Sequence, residues 1–186
     1  MVNIFDTPAV FVDIETNGGY GDKGRITEIA IIRVEDGEVV DEYSTLVNPG
    51  DSIPYWITKL TGITNADVAD APYFDEVASE ISRMLDGAIF VAHNVRFDFS
   101  FIKRQLEALG YSFTPKLFCT VRMSRMLYPE NTGHSLEKII KRHNIDTKDR
   151  HRAYADAKAI LDFTKLAINE KGIDAFRESA TKQIAL

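Results

Sequence analysis

Two carboxylates stand two residues apart in Val12-Asp13-Ile14-Glu15, at the end of an apolar run that begins at Val10. On an extended strand, residues i and i+2 point to the same face, so both acids would share one. Such a pair repels itself and is costly to hold together unless a cation neutralises it. Asp98 follows in His93-Asn94-Val95-Arg96-Phe97-Asp98, and Asp156 in His151-Arg152-Ala153-Tyr154-Ala155-Asp156. Cys119 is the sole cysteine, which excludes a thiolate zinc cluster and an intrachain disulfide. Oxygen ligands without thiolates favour Mg²⁺ or Mn²⁺ over zinc. Taken singly, each residue has a plain structural explanation. Asp13 and Glu15 could face water at a strand end, and Asp98 could complement a helix dipole. Asp156 could be a surface acid and His151 a solvated loop residue. The chemistry depends on all of them meeting at one place.

The elements that would bring them together follow from the hydrophobic spacing. Val10–Ile14 reads as a buried strand. Residues 18–22, Gly-Gly-Tyr-Gly-Asp, form a flexible turn. Ile26–Val34 and Val39–Val47 are strands joined across Glu35-Asp36-Gly37-Glu38, where Asp-Gly is a strong hairpin signal. A short helix over Pro54–Leu60 stops before Gly62, and Val77, Ile81, Met84 and Leu85 predict a helix over Tyr73–Leu85. A strand over Ala88–Ala92 leads into an amphipathic helix, Phe97–Leu109, ended by Gly110. That puts Asp98 in a first helical turn beside a strand end. Leu117–Thr120 is a short strand, and Val121–Leu127 and Ser135–His143 are helical. A long helix, Arg152–Glu170, carries Asp156, with His151 where the loop enters it; a shorter one covers Ile173–Lys182. The order predicts an α/β fold with a mixed sheet whose antiparallel pair comes early.

A chain of 186 residues, 45% apolar and 10% aromatic, is expected to form one globular domain with a sizeable core. Its longest apolar runs, such as Ala9–Val12 and Ile29–Ile32, are far too short to span a bilayer. The segment Met1–Asp6 lacks the basic start and apolar stretch of a signal peptide, so a cytoplasmic protein with no membrane partner is expected. The net charge of −6 argues at first against a nucleic-acid partner. Its distribution argues the other way. Residues 1–95 hold 5 Lys and Arg against 17 Asp and Glu, whereas residues 96–152 hold 12 against 6. A basic middle third can attract phosphates even on an acidic protein.

The segments Val12–Thr16, His93–Asp98 and His151–Ala157 resemble, in order and spacing, the three motifs of the DnaQ-like exonucleases. That family is also called DEDD, and its histidine form DEDDh; its members include the proofreading epsilon subunit of bacterial DNA polymerase III, ribonuclease T and oligoribonuclease. Arg25–Ala30, Leu60–Ile63 and Asn131–Leu136 resemble the intervening segments. The similarity covers about residues 8–170 of a single 1–186 domain and leaves 171–186 as a C-terminal helical segment. The sister group carries Tyr four residues before the last Asp. Here that position is Arg152, and Tyr154 stands on the wrong helical face, so His151 marks the histidine form.

The resemblance implies an RNase H-like fold, a five-stranded mixed sheet flanked by helices. It also implies removal of nucleotides from a 3′ end by phosphodiester hydrolysis. Asp13, Glu15, Asp98 and Asp156 would hold two Mg²⁺ or Mn²⁺ ions that clamp the attacking water and the leaving 3′-oxygen. His151 would take the proton from that water, since imidazole titrates near neutrality. Thr16 matches the residue that contacts the terminal 3′-hydroxyl, and Leu60 and Phe97 match apolar walls around the last bases. His93 and Asn94 match second-tier contacts near the scissile nucleotide. The expected substrate is a single-stranded DNA 3′ end, in proofreading or repair. The alternatives are an RNA-trimming enzyme of the ribonuclease T or oligoribonuclease kind and, from another class, a catalytically silent docking module. Asp-Ile-Glu-Thr and Leu-Thr-Gly-Ile-Thr resemble the polymerase-associated branch, and the intact set of five motif residues argues against a silent module. A polymerase or a fused GIY-YIG endonuclease domain is the implied partner, although nothing past Lys171 resembles a polymerase-binding tail.

Overall fold

The computed structural model describes residues 7–18, 24–147 and 151–184. Of the turn expected over 18–22, all but Gly18 lies outside the described residues. Strand β1 (Ala9–Thr16) is buried along most of its length because it is the middle strand of five. It pairs antiparallel with β2 (Ile26–Glu35), which pairs antiparallel with β3 (Glu38–Leu46). On its other side it runs parallel to β4 (Ile89–Ala92), which runs parallel to β5 (Leu117–Cys119). The sheet order is therefore β3-β2-β1-β4-β5, the mixed five-stranded sheet expected. The Asp36-Gly37 turn of the hairpin has positive φ at both residues, 51° and 84°, as a two-residue turn matching strand twist requires.

Seven helices complete the described residues: α1 (Tyr55–Thr61), α2 (Phe74–Leu85), α3 (Arg96–Ala108), α4 (Thr120–Leu127), α5 (Leu136–His143), α6 (Ala153–Lys171) and α7 (Ile173–Ile184). Strand alternation sorts them into two layers. Ala9 and Phe11 of β1, with Ala30, Ile32 and Val34 of β2, pack against residues of α4–α7 such as Met123, Ile139, Ile160, Phe163 and Phe176. Val10, Val12 and Ile14 point the other way, into a second cluster with Val77, Ile81 and Met84 of α2 and Phe101, Ile102 and Leu106 of α3. A third, small cluster of Ile53, Ile57, Ile63 and Val68 anchors α1. None of the helices among the described residues is long and apolar enough to cross a membrane.

Two details set up the site. β1 runs past the end of its pairing with β4, which stops at Phe11↔Val91, so its last residues project beyond that edge. Its register with β2 shifts between Glu15 and Thr16, where the partners jump from Glu28 to Ile26 and Thr27 becomes the extra residue. Such a bulge bends the strand and commonly occurs beside active sites.

Candidate active site

Asp13 and Glu15 share the face of β1 that bears Ala9 and Phe11, as their spacing predicts, and both are partly exposed. The N-terminal turn of α6 lies over that face and brings Asp156, only 5% exposed, to it. A carboxylate oxygen of Glu15, one of Asp156 and a ring nitrogen of His151 all lie within 4.8 Å of one another. His151 adopts a left-handed backbone, φ 61°, just before the helix begins. For a histidine that conformation is uncommon and must be held by its surroundings.

Asp98 comes from the opposite layer. It sits in the first turn of α3, is 3% exposed, and accepts hydrogen bonds from its own backbone N–H and from that of Ile14. The Ile14 amide is available because β4 has already ended, so Asp98 closes the open edge of β1 between the two other acids. Burial pushes its carboxyl up to about 8, although both amides pull it down. No positive charge acts among the causes of that shift. A divalent cation beside Asp98 would relieve this condition, and the carboxylates supply the oxygen donors that Mg²⁺ or Mn²⁺ takes. The residues present therefore fit the metal that the motifs imply.

Glu28 has a role that spacing did not reveal. It lies directly across from Glu15 on β2, on the same face, where two like charges would repel. Glu28 is 3% exposed, and its carboxylate accepts from Nε of Arg152 at 3.1 and 3.2 Å and from Nη2 at 2.8 Å. It also accepts from the backbone N–H of Ala153 at 2.9 Å, one of the unpaired amides that begin α6. The charge of Glu28 is thus neutralised, the start of α6 is fixed, and Arg152 is tethered between His151 and the helix. The signal was present in the sequence, a lone acid in the apolar strand Ile26-Thr27-Glu28-Ile29-Ala30-Ile31-Ile32.

The expected substrate contacts are placed unequally. Thr16 is buried, and its hydroxyl donates to the Gly18 carbonyl at 2.5 Å. Leu60 is 52% exposed on α1, and the segment that precedes this helix is tied to the end of β1 by the Asn17 side-chain amide, which donates to the Ser52 carbonyl at 3.4 Å. Phe97 is half-buried and packs on Phe101, ring centroids 4.9 Å apart. Asn94 is exposed, with φ 69°, at the turn from β4 into α3. Both ring nitrogens of His93 are engaged within the protein, Nδ1 with the Thr120 hydroxyl and Nε2 with the His134 carbonyl, each at 3.0 Å. A carbonyl can only accept, so Nε2 carries a proton; the Thr120 hydroxyl also lies 3.4 Å from the Ala92 carbonyl. Tyr154 points away from the acids, its hydroxyl donating to Glu42 of β3 at 2.8 Å.

Residues 10–164 match the model of a family described as Exonuclease. The epsilon subunit of DNA polymerase III from Aquifex aeolicus is 35% identical over 156 residues, 83% of this chain and 77% of that protein. The 3′-5′ exonuclease DinG of Bacillus subtilis is 37% identical over 150 residues, 80% of this chain but 16% of that protein. A PolC-type DNA polymerase III from Clostridium perfringens is likewise 37% identical, and this chain spans 12% of its length. Among solved structures, exonuclease X in complex with 5′ overhanging duplex DNA is 28% identical, with a TM-score of 0.69 over 95% of this chain and 97% of that one. The fold is RNase H-like, as the motifs implied.

Proposed function

The chain belongs to the Exonuclease family, and on that footing we propose that it is a divalent-metal-dependent 3′→5′ exonuclease acting on single-stranded or frayed DNA 3′ ends, in proofreading or repair. The observation that carries the reading is the meeting of Glu15, His151 and Asp156 within 4.8 Å at the end of β1. Asp98 is buried against the same strand, and Asp13 stands on the same strand face as Glu15.

Asp13, Glu15, Asp98 and Asp156 would hold the metal. When bound there, two divalent cations supply the Lewis acidity that activates water and stabilises the departing oxygen. His151 takes the proton from the attacking water. Water attacks phosphorus and the 3′-oxygen leaves, so the products are nucleoside 5′-monophosphates. Thr16 and Asn94 flank the acids and bind the terminal nucleotide, with His93 bracing that wall through its two hydrogen bonds. Leu60 and the exposed part of Phe97 border the last bases, where contact with an apolar side chain tolerates any sequence.

Polarity is supported by the DinG relative, named a 3′-5′ exonuclease. DNA as substrate is supported by the epsilon relative and by the DNA-bound exonuclease X. Association with a replicative polymerase is supported by the same epsilon relative. The test is a time course on 5′-labelled DNA and RNA oligonucleotides with free or blocked 3′ ends, in Mg²⁺ and in excess EDTA. A ladder shrinking from the free DNA 3′ end, abolished by EDTA, is expected. Efficient cutting of 3′-blocked or circular DNA, or cleavage undiminished in EDTA, would overturn the reading. Faster trimming of RNA would reassign the substrate.

A further inference from the structure

A large cavity of about 1250 Å³ opens along the turn His93–Arg96, which leads into the first turn of α3 that carries Asp98. It continues past β5 and α4 to the start of α5. Small-molecule pockets typically measure about 300–1,000 Å³, so the space exceeds what one nucleotide needs. Arg96, Lys116, Arg122 and Arg125 line it, and none of the lining residues among those described is acidic. This is unusual on a chain of net charge −6. The four cations are exposed, and none has an ion-pair partner among the described residues. Arg122 and Arg125 lie three apart on α4, and so on the same side of that helix.

The local potential is felt by a neighbour. His134, also in the lining, is held below the ordinary imidazole range, first by burial and then by Arg125 and Arg142. At the floor, Gln183 accepts from the Cys119 backbone N–H at 2.9 Å, while its own buried amide nitrogen has no partner among the described residues. Unpaired cations in a cleft walled by protein concentrate anions.

We infer that this groove is a second nucleic-acid subsite, which holds the phosphates of the substrate strand on the 5′ side of the terminal nucleotide. The inference rests on the exonuclease reading and deepens it. The preferred substrate becomes an oligonucleotide rather than a dinucleotide, gripped by charge without reading sequence. Arg122 and Arg125 belong to this grip and not to the bond-breaking step.

The test compares the whole chain with Arg122→Gln/Arg125→Gln and, as a charge-matched control, Lys158→Gln/Lys165→Gln on the exposed side of α6. Binding of fluorescent dodecathymidylate is measured by anisotropy in EDTA across a salt series. Turnover is measured on the same oligomer and on the p-nitrophenyl ester of thymidine 5′-monophosphate, which has a single phosphate. The arginine variant should bind the oligomer about tenfold more weakly at low salt. Its slope of log affinity against log salt should fall by about 1.4, from roughly 0.7 per single-strand phosphate contact. KM on the oligomer should rise, and hydrolysis of the ester should not change. Unchanged affinity and slope would overturn the inference, as would a loss no larger than the control's. If the wild-type chain hydrolyses neither substrate, the exonuclease reading fails while the EDTA binding series still decides the groove.

Discussion

The Asp98 carboxyl is buried beneath two backbone amides with no positive charge to offset it, and its acidity is correspondingly weak, near 8. The linkage has a definite sign. Between the ordinary carboxylate range near 4 and about 8, the folded protein keeps a proton that the unfolded chain has released, so stability contributed at Asp98 falls as pH rises. In EDTA, the wild-type chain should therefore lose stability relative to Asp98→Asn between pH 5 and pH 8. Added Mg²⁺ should stabilise the wild type more at the higher pH. Urea unfolding at the two pH values measures both, and a wild-type advantage that grows with pH would contradict the burial argument. His151 calls for a different measurement. If it accepts the proton from water, His151→Ala should lower kcat by about 10²–10⁴-fold with KM little changed. His143 is the contrast. Its ring packs between Tyr128 and Phe163, at 5.2 and 5.6 Å, so His143→Ala should lower stability and leave kcat of the folded enzyme near wild type. Equal losses of kcat at the two histidines would mean that stability had been mistaken for chemistry.

At the scale of elements, the site depends on how α6 is attached to the sheet. The helix brings Asp156 over β1, and Glu28 of β2 holds its first turn through Ala153 and Arg152. Removing that carboxylate leaves the Ala153 amide without its acceptor and frees the segment that carries His151 in its left-handed conformation. Glu28→Ala should cost about 1–3 kcal/mol of stability, the usual consequence of stranding a buried donor. It should also lower kcat more than KM, because the displaced groups are those proposed to act at the reacting phosphate. Denaturant unfolding and steady-state kinetics on one oligonucleotide separate the two effects. A variant that loses stability but keeps full kcat would reduce Glu28 to a purely structural role. The bulge at Glu15/Thr16 works alongside this attachment by turning the end of β1 where the acids stand.

Across the whole molecule, charge is segregated. The acids gather at the end of β1, and Arg96, Lys116, Arg122 and Arg125 line one groove. Helix α1 presents Tyr55, Trp56 and Leu60 to solvent, 81%, 61% and 52% exposed. Because Leu60 is exposed, Leu60→Ala should change stability by no more than about 0.5 kcal/mol. If Leu60 wedges a terminal base out of its pair, the variant should slow trimming of matched duplex ends more than of single strands, since only the former must unpair first. The ratio of the two rates, measured on the same labelled strand, is the readout. A ratio identical to wild type removes Leu60 from that role.

The element order and the mixed sheet were legible in the sequence alone, because both rest on local pattern, and the five motif residues were named there by resemblance. Alternation made the strands, Gly62 and Gly110 ended helices, and two acids at i and i+2 had to share a face of β1. Glu28, an acid within an apolar strand, was a signal left unread until its partner was seen. Only the tertiary structure decided what depends on elements meeting. It brought Glu15, His151 and Asp156 together across 141 positions of chain from first to last. It buried Asp98 against an amide left open by the short β4, and it paired Glu28 with Arg152 over 124 positions. It also gathered Arg96, Lys116, Arg122 and Arg125, scattered in the sequence, into one groove without an acidic neighbour in its lining. Spacing fixes which way a side chain points on its own strand or helix. Burial, and the charge that faces it, are set by what packs alongside, and no local pattern encodes that.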